Sequence, residues 1–134
     1  MPESRILGGA AAGAAAATVW AAQEPLDIRV FGVPYSDTEL LAKPVGGNRA
    51  AGWVIHVMNG AVFGAVYSTL ASRVPGPGVV KGAAAGMTEH LATWPLTRFL
   101  PGVDLWGNRR AFWQAVWRHL LFGALLGALE ERIR

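Results

Sequence analysis

The chain carries four apolar stretches marked by small residues at four-residue spacing, and this pattern sharply restricts how it can fold. Gly82, Gly86 and His90 rise through one stretch. His56, Gly60 and Gly64 descend through the stretch before it, and His119, Gly123 and Gly127 through the stretch after it. Gly9, Gly13 and Ala17 mark the first. Residues four apart share a helix face. Antiparallel neighbours therefore set glycine against glycine at one end of a contact and bring histidines together at the other. Small-residue faces of this kind let helices pack closely in membranes. The expected fold is an all-α integral membrane four-helix bundle, built as two helical hairpins.

Composition agrees with a membrane reading. The 134 residues are 52% hydrophobic and 16% charged, and mean hydropathy is +0.30. Apolar residues gathered into blocks near the ~20-residue spanning length fit a bilayer better than a soluble core. The formal net charge of +3 does not mark a nucleic-acid binder. The arginines punctuate segment ends, where anionic headgroups attract them, and form no patch. With no cysteine there are no disulfides and no thiolate metal sites. Trp53, Trp94, Trp106 and Trp113 fall near segment ends, as interfacial tryptophans do.

One membrane domain, 1–134, is expected, with helices at about 6–22, 50–72, 79–100 and 110–130. Between the first two lies a loop, 23–49, broken by Pro25, Pro34 and Pro44. Within it, Ser36-Asp37-Thr38-Glu39 reads as a capping box opening a short helix, 37–43. That helix either rests Leu40 and Leu41 on the membrane or is a surface turn. Pro95 should kink or shorten the third helix. A signal peptide ending near Ala22 is the competing reading of the first stretch. Four spans place both termini on one side, but basic residues are nearly balanced between the two sides, so orientation is open. A diffuse repeat matches Gly-Ala-Ala-Ala-Gly at 9–13 with 82–86, and His-x-x-x-Gly-x-x-x-Gly at 56–64 with 119–127.

Polar residues inside the apolar stretches are the candidate site. His56, Glu89, His90, Arg118 and His119 should fall in one half of the bilayer, and Glu89 must face protein or a cavity. The structural reading pairs Glu89 with Arg118 and lets the histidines hydrogen-bond across helix contacts. A second reading makes His56, His90 and His119 cofactor ligands for haem, or these with Glu89 ligands for a divalent metal. A third is a proton or ion path through Glu89 and the histidines. The packing residues are Gly9, Gly13, Gly60, Gly64, Gly82, Gly86, Gly123 and Gly127. No phosphate loop, nucleophile elbow or dinucleotide fingerprint is present, so no catalytic residue is assigned.

The Gly-Ala-Ala-Ala-Gly opening, the His-x-x-x-Gly-x-x-x-Gly segments and Trp94-Pro95-Leu96 resemble small multi-pass bacterial inner-membrane proteins of the YagU-like kind. The resemblance covers the last three helices and implies a helical protein of the inner membrane with no assigned activity. The expected function is a non-catalytic packing or accessory protein without a cofactor. Its partners would be the lipid bilayer and either a second copy or other membrane subunits, not nucleic acid. A haem- or metal-binding module and a small transporter or channel subunit are the alternatives.

Overall fold

A computed structural model describes residues 2–134. All regular structure among them is helical: α1 (Pro2–Phe31), α2 (Asp37–Ala42), α3 (Arg49–Ala71), α4 (Gly78–Thr93) and α5 (Arg109–Ile133). Two 3-10 segments, Lys43–Val45 and Trp94–Phe99, follow α2 and α4. Local chemistry sets most of the starts. Ser36, Asn48 and Asn108 accept the amides of Glu39, Ala51 and Ala111 at 3.4, 3.2 and 3.1 Å, capping α2, α3 and α5.

Two boundaries differ from expectation. The third apolar stretch is helical only to Thr93, because Pro95 cannot donate to the helical ladder and the chain tightens into 3-10 turns. In the other direction, α1 runs 30 residues straight through Pro25, well into the expected loop. A helical proline costs about 3 kcal/mol. Beyond it lie Glu24 and Asp27, both buried and both paired with Arg118, and those contacts offset the cost. The helix ends where Gly32 turns left-handed, at φ 81°, and its amide reaches the Ile28 carbonyl at 2.8 Å.

α1 packs against α3, α4 against α5, and α1 against α5. In the first pair a methyl group on Gly13 would meet the Gly60 carbonyl, and one on Gly9 the Gly64 carbonyl. In the second pair Gly82 faces Gly123, Gly86 faces the His119 carbonyl, and Gly127 faces Gly78. The helix backbones therefore touch directly, which only glycine permits. Between the pairs, Ala12, Ala16 and Trp20 of α1 pack with Phe122 and Leu126 of α5. Gly8 lies against Ile133, so the two ends of the chain stand side by side.

The repeat is real in space but shifted by one helical turn. Gly9 and Gly13 occupy the places of Gly78 and Gly82, not those of Gly82 and Gly86. Ser68 and Glu131, one turn beyond Gly64 and Gly127, confirm this register by standing against Gly9 and Gly78.

Size and polarity are sorted unusually across these helices. The largest fully buried side chains are Arg118, Leu126, His90, Gln114, Glu130, Asp27 and Ser68, all polar but one. α3 turns Gly52, His56, Gly60 and Gly64 inward. Its opposite face exposes Val54, Met58, Val62, Val66 and Leu70, with Val62 64% accessible. By length and composition, α1 and α3 are each able to cross a membrane.

Candidate functional site

Arg118 organises the interior. It points from α5 toward α1 and is fully buried. Four of its N–H groups donate hydrogen bonds, and its contact with Glu24 is an ion pair. Nε and Nη2 donate to Oδ2 and Oδ1 of Asp27, both at 2.7 Å. The second Nη2 hydrogen reaches the Tyr35 carbonyl at 3.0 Å. Nη1 lies 2.8 Å from Asp37 Oδ2 and 3.0 Å from Glu24 Oε2. The guanidinium also stacks 4.3 Å from the centre of the Tyr35 ring.

The carboxylates are held from their other sides as well. Gln23 and Gln114 donate to Asp27 at 2.7 and 2.8 Å, so four donors converge on its two oxygens. Ser36 Oγ and the Asp37 amide donate to Glu24 at 2.8 and 2.9 Å. Trp20 Nε1 donates to Asp37 at 3.1 Å. Burial, and then the negative charge of Asp37, raises the Tyr35 phenol above its ordinary value; Arg118 partly opposes this.

The expected Glu89–Arg118 pair is therefore replaced by two separate arrangements. Arg118 takes Glu24, Asp27 and Asp37, whereas Glu89 takes His119, with Oε2 2.5 Å from Nε2. Adjacent residues on a helix point about 100° apart. His119 continues the Gly123–Gly127 stripe and so faces α4, which turns Arg118 toward α1.

A cavity of about 300 Å³ lies between α3 and α4, beneath α2 and the Trp94–Phe99 segment. It brings together all three candidate histidines and Glu89, and adds Asp37 from the Arg118 cluster. Leu40 and Leu41 of α2 line it. Trp20 packs edge-on against both His56 and His119, with ring centres 5.3 and 4.8 Å apart. His90 is buried between Phe112 and His119, at 4.9 and 4.8 Å.

Hydrogen bonding fixes where protons sit. A carbonyl only accepts, so His56 Nε2 must donate to Ala17 O at 3.0 Å. By the same rule His119 Nδ1 donates to Ala115 O at 2.7 Å. His119 Nε2 then faces a Glu89 oxygen.

Among the described residues, no three His, Asp and Glu side chains form a group able to hold a metal. His56, Glu89, His90 and His119 share a wall without converging on one point. Sequence reasoning missed Glu24, Asp27 and Asp37. The signal was present: Gly9, Gly13, Ala16, Ala17, Trp20, Glu24 and Asp27 continue one three-to-four-residue stripe through Pro25. No protein-family model matches the chain, and no curated protein or solved structure matches it.

Proposed function

We propose that the chain is an integral membrane protein, a four-helix bundle in which α1, α3, α4 and α5 cross one bilayer. Its activity is non-catalytic: it serves as a packing or accessory protein, self-associating or joined to other membrane subunits. The observation that carries this reading is the sorting of side chains. A water-soluble domain buries its valines and leucines and exposes its charges. Here arginine, aspartate, glutamine and histidine are buried while the valine face of α3 is bare. An exposed apolar surface on several helices at once calls for a partner solvent, and acyl chains supply it. Trp53, Phe99, Trp106 and Trp113 are exposed near the cavity end and fit an interfacial aromatic belt. The resemblance to small multi-pass bacterial proteins suggests the inner membrane.

Membrane extraction tests this. Expressed in a bacterial host, the protein should stay in the membrane pellet through alkaline carbonate and be released only by detergent. Release as a monodisperse soluble protein without detergent would overturn the proposal.

A further inference from the structure

We propose that the cavity between α3 and α4 binds a compact organic cation, an ammonium group carried on a small apolar or aromatic body. Shape is the first observation. A cavity of 150 Å³ already accommodates benzene, so about 300 Å³ leaves room for one ring and a short aminoalkyl arm. The walls are the second. Trp20, Phe63 and Trp94 present aromatic surface to the cavity, the surface that recognises ammonium groups.

Charge is the third observation. Four carboxylates, Glu24, Asp27, Asp37 and Glu89, are gathered within or beside the cavity wall. Arg118 pairs with the first three and His119 with Glu89. Asp37 and Glu89 are the two that line the cavity, with side chains 29% and 39% accessible. An entering cation therefore meets two carboxylate side chains that stay partly open to the cavity. His90 supplies the fourth observation. It lines the same cavity, it is 1% accessible, and its Nε2 has no hydrogen-bond partner among the described residues. An unpartnered buried imidazole nitrogen costs stability and marks a polar site held ready.

Either a free amine or the ammonium head of a membrane lipid carries this chemistry. The test uses protein purified in uncharged detergent, titrated at pH 7 with benzylammonium, benzyl alcohol and benzoate. Tryptophan fluorescence and calorimetry read binding. Benzylammonium should bind saturably and at least about tenfold more tightly than benzyl alcohol, and benzoate should not bind. Glu89→Gln should remove most of that preference, and Trp94→Leu should weaken benzylammonium alone. Circular dichroism identifies any variant that fails to fold, and the preference of the parent for the cation is decisive without either variant. Competition distinguishes the sources. In the same uncharged detergent, short-chain phosphatidylethanolamine that displaces benzylammonium identifies the lipid head group as the occupant, and no displacement identifies a free amine. Equal affinity for benzyl alcohol and benzylammonium, or no saturable binding of either, would overturn the proposal.

Discussion

Replacing Arg118 should be the most damaging single change in the chain. Arg118→Met keeps an unbranched apolar stem but removes the guanidinium and its donors. Asp27 keeps two of its four partners, Gln23 and Gln114. Glu24 and Asp37 lose the cation that pairs them. Removing one side of a buried ion pair costs about 3–5 kcal/mol, because the remaining charge stays buried. Total stability of a domain is about 5–15 kcal/mol, so about a fifth or more is at risk. Arg118→Lys keeps the charge but offers three donors from one atom to a five-point fork, and should fall between the parent and Arg118→Met. The double variant Arg118→Met with Asp27→Leu should recover part of the loss. Gln114 still reaches the Val33 carbonyl at 3.0 Å and Gln23 the Trp20 carbonyl at 3.1 Å, so neither amide is stranded. Unfolding by graded denaturing detergent, followed by circular dichroism, measures all four proteins. If Arg118→Met unfolds with the parent, the charged cluster does not hold α5 to α1 and the reasoning fails.

Other perturbations give separable outcomes. Gly13→Ala and Gly82→Ala each place a methyl group on a partner-helix carbonyl, so each should cost about 1–3 kcal/mol in the same unfolding assay. Pro25→Ala restores a donor about two turns before the end of α1 and should stabilise the protein by up to about 3 kcal/mol; a loss would mean that the proline positions Asp27. In a Tyr67→Phe background Tyr35 is the remaining tyrosine. Absorbance at 295 nm should show its phenol still protonated at pH 11, whereas a free phenol titrates near 10. Since the folded state then holds the proton more tightly, stability is unaffected below about pH 10 and falls as pH climbs toward the raised folded value.

Much of this architecture was legible in the chain because four-residue spacing leaves little freedom. Gly60 and Gly64 can only share a face, and small faces without side chains have to meet backbone. The register was harder to read. Gly-Ala-Ala-Ala-Gly recurs as a string at 82–86, but Gly78, beside the prolines of the turn, is the residue equivalent to Gly9. Pro25 hid the acidic half of the interior, because a local rule about proline competed with a tertiary ion cluster that outweighs it. The partner of Glu89 turned on one residue: His119 lies in the glycine stripe facing α4, and Arg118 lies beside it.

The central claim is that the bare apolar faces meet lipid. Because the chain has no cysteine, single cysteines can be introduced cleanly. Spin labels at Val62 and at Arg49, both exposed, would be read in reconstituted bilayers by collision with oxygen and with a water-soluble nickel chelate. At Val62 oxygen collisions should dominate and nickel collisions be nearly absent, with the reverse at Arg49. A label at Val62 that meets nickel as freely as one at Arg49 would place that face of α3 in water and contradict the account.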